Sequence, residues 1–211
     1  LSLADRMPGD PDNDVYRIVP EPVGGAQRDP AAAVVSLAQA IDEAADFGRL
    51  DPVDYAAEWK WDGIRVQAAA GYDGSGALRR RLYSRTGEDL SAAFPDLVAA
   101  LDVEAVIDGE LLVVIDGEVR SFNTLQQRLN RKSVTAKLMA SHPAAIRAYD
   151  LLSVDGEDLR DLPFRDRRAR LEDFVARLAS PRIDLSPLVE VAGLEELAQA
   201  PHILLLEQQK N

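Results

Sequence analysis

Hydrophobic and polar residues alternate along several short stretches of the chain, with the period of two that half-buried β-strands show. The alternation starts at Tyr55, breaks at Asp62-Gly63 and resumes at Ile64, which predicts a strand, a turn and a second strand. Further strands are predicted within residues 78–85, 105–122 and 145–159. Within the last two stretches, Asp116-Gly117 and Asp155-Gly156 are dipeptides that suit the left-handed residues of a tight hairpin.

A longer period, close to that of an α-helix, appears between these strands. Apolar residues on one face predict helices within residues 29–48, 94–101 and 171–178, and residues 124–132 are predicted to form a short basic helix. Residues 186–200 are predicted to form a strand and then a helix, whereas residues 1–28 are predicted to be an irregular arm or linker. Hairpins separated by single helices favour an α+β fold with largely antiparallel sheets.

Composition and charge limit the kinds of active site and binding surface that the chain can have. The 211 residues include no cysteine and two histidines, which excludes a disulfide scaffold, a thiolate nucleophile and a zinc site built on cysteine. The net charge of −12 argues against a simple cationic nucleic-acid-binding module, yet residues 119–149 carry six cations and no acid. This basic stretch is a better candidate for a surface that faces phosphate than the run Arg79–Arg81. Its cations are Arg120, Arg128, Arg131, Lys132, Lys137 and Arg147.

The sharpest candidate for chemistry is Lys60, in the string EWKWDGIR of residues 58–65. The chain has only four lysines, and this one ends a predicted strand just before an Asp-Gly turn. A lysine at such a place is most often a solvated cation paired with a neighbouring carboxylate. Between the rings of Trp59 and Trp61, and near a like charge, its amine would instead lose hydration and become available for attack. Such an amine can accept a phosphoryl or nucleotidyl group or form a Schiff base.

Four strings, in order along the chain, resemble the motifs of one family. They are KWDGIR (60–65), LYSRTGEDL (82–90), VIDGELLVV (106–114) and AYDLLSVDGEDLRDLPFRDRRARL (148–171). Together they are similar to the bacterial type of ATP-dependent DNA ligase, in the superfamily that also holds RNA ligases and messenger-RNA capping enzymes. The resemblance implies an α+β adenylation domain, with antiparallel sheets flanked by helices, that acts in DNA repair, replication or recombination in the cytoplasm.

The resemblance also implies a covalent mechanism. Lys60 would attack the α-phosphate of ATP, expel pyrophosphate and hold AMP through a phosphoramidate bond. Nicks in duplex DNA would then be sealed through this lysyl-AMP intermediate. Charge develops on the departing pyrophosphate, so Mg²⁺ and arginine side chains are expected to stabilise it.

Five further residues are implied to bind the nucleotide. Arg65 would contact its ribose and phosphate side, and Arg85 the ribose or the phosphate at the nick. Glu110 would meet the ribose hydroxyls or a magnesium ion, because a carboxylate is a hard oxygen ligand. Tyr149 would stack on the adenine, and Glu58 would lie where the family approaches the purine edge.

The family pattern departs from the chain near its end. ATP-dependent DNA ligases continue into a Glu-Gly-x-x-x-Lys segment, a further lysine motif and an OB-fold domain, whereas no glycine follows Gly193 here. We therefore expect residues 29–211 to be an adenylation domain truncated before the later motifs, at most partly active alone, with OB-fold and DNA-binding domains in the full-length protein. The alternatives are an RNA ligase or capping-type nucleotidyltransferase, or a non-catalytic nucleotide- or DNA-binding remnant.

Overall fold

The structure is a computed structural model that describes residues 55–129, 131, 134–189 and 203–207. The arm expected at residues 1–28 and the helix expected within 29–48 lie outside these described residues. So do the helix expected after residue 189 and the side chain of Lys132. The four sequence motifs all fall within the described ranges.

Ten strands, four α-helices and one short 3₁₀ helix (Ser91–Ala93) make up the described fold. The strands are β1 (Tyr55–Trp59), β2 (Ile64–Tyr72), β3 (Leu78–Ser84), β4 (Ala105–Ile115), β5 (Glu118–Val119), β6 (Ala144–Val154), β7 (Glu157–Asp158), β8 (Ile183–Leu185), β9 (Leu188–Val189) and β10 (Ile203–Glu207). The helices are α1 (Pro95–Ala100), α2 (Phe122–Leu129), α3 (Ala136–Ser141) and α4 (Phe164–Leu178). Among these residues, no helix has the length and apolar character needed to cross a membrane.

The larger sheet has seven strands and is antiparallel except at one pair. Its main order is β3-β2-β4-β6-β7, with β5 paired to β4 and β8 paired in parallel to β6. The hairpins β4–β5 and β6–β7 turn at Asp116-Gly117 and Asp155-Gly156, where all four residues have φ between 51° and 82°. Two successive left-handed residues are what a type I′ hairpin requires, so the prediction from the Asp-Gly dipeptides is confirmed.

One face of the larger sheet is apolar and forms the core. Val66, Ile107 and Ile146, from its three central strands, are at most 1% exposed. They belong to one hydrophobic cluster with Leu97 of α1 and Leu171 of α4. Because side chains alternate along a strand, the residues between them point to the opposite face. That opposite face carries most of the polar residues considered below.

The smaller sheet has β1 at its centre. β10 pairs with β1 along its whole length, from Tyr55↔Glu207 to Trp59↔Ile203, and β9 pairs with the other edge of β1. No strand is predicted from the sequence at residues 203–207, since pairing between segments so distant in the chain leaves no local signal. The consequence is that the strand leading into Lys60 is hydrogen-bonded on both sides.

Candidate active site

Three candidate residues stand side by side on the polar face of the larger sheet. Arg65 of β2 pairs with Glu110 of β4, and Glu110 pairs with Arg147 of β6. Directly opposed residues on neighbouring strands point to the same face. The register therefore brings two of the predicted nucleotide-binding residues, Arg65 and Glu110, together and adds an arginine that the sequence analysis had placed on the basic surface.

A β-bulge brings Tyr149 to the same face. Asp108 pairs with Asp150, yet the next residue Gly109 pairs with Ala148, so Tyr149 is the extra residue on β6. A bulge lets two consecutive side chains lie on one side of a sheet and re-aims them. As a result Tyr149 and Asp150 both lie beside Asp108: the Tyr149 hydroxyl donates to Asp108 Oδ1 at 3.3 Å. Arg167 of α4 binds the Asp150 carboxylate at 2.9 and 2.8 Å.

Asp108 contacts both Arg65 and Tyr149, two of the residues predicted to bind the nucleotide. Arg65 donates to both of its carboxylate oxygens, from Nε at 3.2 Å and from Nη2 at 2.6 Å. The Arg65 guanidinium also lies 5.6 Å from the centre of the Tyr149 ring. Asp108 is 2% exposed and Arg65 is 22% exposed, so this pair is buried at its acidic end and open at its basic end. The arrangement fixes where both the cation and the ring point.

Glu110 is a half-buried acid in this row. Burial raises its pKa to about 8, the charge of Arg65 opposes the rise, and the charges of Asp108 and Asp62 add to it. The backbone of Gly63 also bonds to the carboxylate. A Cβ at Gly63 would lie 2.5 Å from the Leu111 carbonyl oxygen and 2.9 Å from Cγ of Glu110. The turn after Lys60 thus needs a glycine for space, which lets it approach Glu110 closely.

Lys60 itself is half-buried at the end of β1. The Trp61 side chain next to it donates from Nε1 to the Ser186 hydroxyl at 3.0 Å, and the Arg147 guanidinium lies 4.2 Å from the Trp61 ring centre. Arg147 is in turn paired with Asp184 at 2.7 Å. The expectation that two tryptophan rings enclose Lys60 needs correction, because Trp61 is stacked with Arg147 and Trp59 is 44% exposed.

Glu58 is held from the side of α4. Its carboxylate is 2% exposed and accepts a hydrogen bond from Arg168 Nη1 at 2.7 Å. Burial raises the pKa of Glu58 to about 8, with Arg168 opposing the rise and Asp150 adding to it. Glu58 also adds to the rise in the pKa of Tyr149, whose main cause is burial. The Glu58 carboxylate therefore interacts electrostatically with Tyr149, whose ring is expected to stack on the adenine.

Arg85 is the remaining residue predicted to bind the nucleotide. It follows directly after β3, whose last residue Ser84 pairs with Val66. This register brings Arg85 alongside the start of β2, next to Arg65, and its side chain is half-buried. The structure therefore groups Glu58, Arg65, Glu110 and Tyr149 by contacts or electrostatic effects, and it groups Arg85 with them by register.

The basic stretch is divided by the structure. Arg128 is fully buried and paired with Asp96 at 2.5 Å, so the expectation that it faces phosphate is wrong. Arg147 lies on the polar face beside Glu110, where it is engaged by Trp61 and Asp184. Among the described cations of this stretch, the exposed ones are Arg120, Arg131 and Lys137. Arginines come to be buried in this way when their donors are matched by carboxylates and carbonyls.

The Arg79–Arg81 run lies on β3, at the edge of the larger sheet. Arg79 pairs with Asp73 at 2.6 Å, Arg80 donates to the Leu101 carbonyl and Arg81 lies 3.5 Å from Asp89. Each cation thus has a local partner, which fits a solvated strand edge.

Comparison with known proteins decides the family. Residues 35–208 match the family described as the ATP dependent DNA ligase domain. The chain belongs to that family. A DNA ligase of Natronomonas pharaonis is 39% identical over 145 residues, which cover 66% of this chain and 26% of the relative. A DNA ligase of Halorubrum lacusprofundi is 34% identical over 176 residues, which cover 77% of this chain and 28% of the relative.

Solved structures agree with this family and with the predicted α+β fold. The mycobacterial DNA ligase D complexed with ATP and MES is 27% identical with a TM-score of 0.58, covering 77% of this chain and 51% of that chain. The ATP-dependent DNA ligase of bacteriophage T7, in complex with ATP, shares the fold at 20% identity and a TM-score of 0.53, covering 81% and 64%. This ligase domain spans about a quarter of the length of the curated relatives above and about half of the mycobacterial chain.

Several residues of the ligase domain's site were given no role by the sequence analysis. They are Asp108, Asp150, Arg167, Arg168 and Ser186. Asp108 and Asp150 stand inside the quoted motifs VIDGELLVV and AYDLL, beside the residues that were chosen. The arginines of RDRRARL were assigned only to a helix rich in arginine. The one available signal was two adjacent arginines at core-facing helix positions, since buried arginines need acidic partners.

Proposed function

We propose that this chain is the nucleotide-accepting part of a DNA ligase, and that Lys60 takes the adenylyl group from ATP. The observation that carries the proposal is the row on the polar face. Arg65, Glu110 and Tyr149, predicted separately from three motifs, converge there, and the backbone of Gly63 in the turn after Lys60 bonds to Glu110. Membership of the ATP-dependent DNA ligase domain family supports the same assignment.

The proposed step is an in-line displacement at phosphorus. The unprotonated Nζ of Lys60 attacks the α-phosphorus, the new N–P bond forms, and the bond from that phosphorus to the bridging oxygen of the β-phosphate breaks. Pyrophosphate leaves with the electron pair, and the amine proton passes to solvent or to the leaving phosphate. The protein's contribution is positioning and a fixed positive field.

The residues around Lys60 take complementary parts in this proposal. Tyr149 offers a ring for the adenine, because aromatic faces stack on purines at little conformational cost. Arg65, whose charge is open to the site, faces the ribose and phosphate side, and Arg85 supports it from the neighbouring strand. Asp108 holds both Arg65 and Tyr149 in these orientations.

A magnesium ion fits this site as a companion of the nucleotide. Among the described residues, no three acidic or histidine side chains cluster into a cage that would hold a metal alone. Mg²⁺ in nucleotide sites commonly uses one or two carboxylates together with phosphate oxygens. Glu110 is the carboxylate we propose for it, since a nearby cation would favour its ionised form. The ion would offset the charge that gathers on pyrophosphate.

Nicked duplex DNA is the proposed acceptor of the adenylyl group. The cytoplasm, where the DNA lies, is therefore the proposed location of the protein. Exposed Arg120, Arg131 and Lys137 remain available for phosphates. Beside them, Asn123, Gln126, Gln127 and Arg131 line a shallow depression of about 580 Å³ on α2. Amide side chains and cations of this kind contact phosphate and sugar without reading sequence. The weak, salt-sensitive binding expected of so few contacts would need further domains for tight grip.

The experiment is adduct formation with ATP labelled at the α-phosphate, followed by denaturing electrophoresis. We expect the unaltered chain to retain label and Lys60→Ala to lose it. Lys137→Ala is the matched control, since Lys137 is an exposed lysine in the same chain, and it should label normally. Equal labelling of both variants would remove Lys60 from its role. Absence of any adduct with ATP would favour a non-catalytic binding domain, and preferential labelling by GTP would favour the capping type.

A further inference from the structure

The residue that follows Lys60 is held on two sides. The Arg147 guanidinium carbon lies 4.2 Å from the centre of the Trp61 ring, and Trp61 Nε1 donates to the Ser186 hydroxyl at 3.0 Å. The Ser186 backbone N–H in turn donates to the Ala148 carbonyl of β6 at 2.7 Å. Both contacts of the indole therefore lead to β6, and this strand sets the position of Trp61.

Arg147 is itself fixed by an ion pair between β6 and β8. It lies opposite Asp184 and donates to it from Nε to Oδ1 at 3.0 Å and from Nη2 to Oδ2 at 2.7 Å. A contact through two nitrogens fixes the plane of the guanidinium as well as its position. Asp184 is 51% exposed, and an ion pair with so exposed a partner adds little to stability. The pair therefore orients a flat cationic group against Trp61 more than it stabilises the fold.

The turn that carries Lys60 is also fixed at its two ends. Before it, Glu58 pairs with both β9 and β10. After it, the backbone of Gly63 bonds to the Glu110 carboxylate of β4. Trp61 adds a third fixed point between these two, directly beside the nucleophile.

A fixed backbone matters here because the lysine side chain is a long, flexible stem. Displacement at phosphorus requires the attacking and leaving atoms to lie roughly in line. Orientation that is set before the reaction raises the rate of the chemical step. It leaves the affinity for the bound nucleotide unchanged when the orienting group does not touch that nucleotide.

We propose that Arg147 is a positioning residue that acts through Trp61 to hold Lys60 in line with the α-phosphate of ATP. The inference rests on the proposed function, in which Lys60 is the nucleophile. Arg65 faces the nucleotide itself, whereas Arg147 acts on the reaction through the indole ring and the turn. Loss of Arg147 should therefore slow adduct formation at saturating ATP and leave ATP affinity unchanged.

The test compares Arg147→Met with Arg160→Met. Arg160 makes the same kind of pair through Nε and Nη2, with Asp158 at 2.8 and 2.5 Å, so it controls for the loss of one cation and its ion pair. Single-turnover labelling with α-labelled ATP gives the maximal rate of adduct formation. Titration calorimetry on the same variants, each combined with Lys60→Ala, gives the ATP affinity without reaction.

The two variants should differ in rate and agree in affinity. We expect Arg147→Met to lower the maximal rate by about 10- to 100-fold, the effect of a small displacement of a reacting group, with ATP affinity within about twofold of the unaltered value. Arg160→Met should change neither quantity.

A double-variant cycle tests whether the effect passes through Trp61. Trp61→Leu keeps an apolar side chain and removes the ring, so it should lower the maximal rate to a similar extent. Adding Arg147→Met to Trp61→Leu should then have little further effect, because the two residues act as one unit. Effects that multiply in the double variant would overturn the inference.

The other outcomes separate this inference from the proposed function. A folded Arg147→Met with an unaltered maximal rate overturns it, and so does a loss of ATP affinity as large as the loss of rate, which would make Arg147 a nucleotide ligand. If Arg147→Met does not fold, Asp184→Ala carries the test: it frees the guanidinium from its exposed partner, and an unchanged maximal rate there overturns the inference. An unaltered chain that forms no adduct rejects the proposed function together with the inference, whereas a normal rate in Arg147→Met rejects the inference alone.

Discussion

Two buried arginine–carboxylate pairs in this molecule differ in what surrounds them. Arg128, between α1 and α2, is fully buried: it pairs with Asp96, donates to the Ala93 and His142 carbonyls and lies 4.7 Å from the Phe94 ring centre. Arg65 also binds a buried carboxylate, but its own side chain is open to the polar face beside Glu110.

The difference separates a structural arginine from one that can meet a ligand. Around Arg128 the carboxylate and carbonyls are all interior, and Asp96 accepts from Arg182 as well, at 3.0 Å. Around Arg65 the carboxylate fixes the direction of a charge that still reaches the surface. A buried pair is thus compatible with function where its cation is left partly exposed and oriented.

The largest expected effect is on stability, from Arg128→Met. Removing the guanidinium leaves Asp96 with Arg182 alone and takes the donor from the Ala93 and His142 carbonyls, and breaking a buried ion pair on one side typically costs about 3–5 kcal/mol. Urea unfolding followed by circular dichroism should show the loss as a lower midpoint. Since Arg128 is remote from the polar face, the folded fraction should still form adduct. A midpoint equal to that of the unaltered chain would contradict the assignment of Arg128 as structural.

Compared with Arg128→Met, Arg65→Met should reduce stability less and weaken ATP binding more. Its partner Asp108 keeps the Tyr149 hydroxyl, so we expect a smaller stability loss of about 1–3 kcal/mol. Loss of a charge-assisted contact should weaken ATP binding by about 10- to 100-fold. Isothermal titration of ATP into both variants checks the contrast. Normal ATP affinity in Arg65→Met would place the nucleotide elsewhere.

The raised pKa values of Glu110 and Glu58 predict that stability depends on pH. The pKa of Glu110 lies near 8 in the folded chain against an ordinary value of 4.5, so between these values the folded state holds a proton that the unfolded chain has released. Stability must then fall as pH rises through this window, and Glu58 adds to the fall.

Thermal unfolding at a series of pH values measures this slope. Glu110→Gln should flatten it, because an amide does not titrate. The control Glu118→Gln, on the exposed β5 hairpin, should keep the slope of the unaltered chain. If Glu110→Gln leaves the slope intact, Glu110 is ionised in the folded protein.

The smallest expected effect concerns the exposed part of the basic stretch. Reversing Arg131 and Lys137 together should weaken binding to a nicked duplex and reduce its salt dependence by about two phosphate contacts. Adduct formation at Lys60 should be unaffected. Reversing Arg79, which already pairs with Asp73 on the sheet edge, is the comparison, and an equal effect there would mean that the DNA surface is misplaced.

Local features of the fold were predictable from the sequence, whereas features made by distant segments were not. Alternation marked the strands, and the two Asp-Gly dipeptides marked the hairpins, because both depend on neighbouring residues. The bulge at Tyr149 and the pairing of β10 with β1 depend on register between remote strands. Helix α3 was not predicted, since six residues show little periodicity.

The site shows the same division. Four ordered motifs identified Lys60 and the five residues expected to bind the nucleotide, because short strings preserve residue type and spacing. They did not separate Arg128 from the other cations of the basic stretch, since burial is decided by packing against Asp96 and Phe94. Nor did they connect Arg168 with Glu58, which is 110 residues away in sequence. Contacts of this kind require the folded chain.

The role proposed for Lys60 is tested most directly by locating the adenylyl group in the chain. The protein is incubated with ATP and Mg²⁺, unfolded, digested with a protease and analysed by mass spectrometry under conditions that preserve the phosphoramidate. We expect one modified peptide, with AMP on Lys60 within EWKWDGIR. An AMP group on another lysine, or ATP bound without any modified peptide, would contradict it.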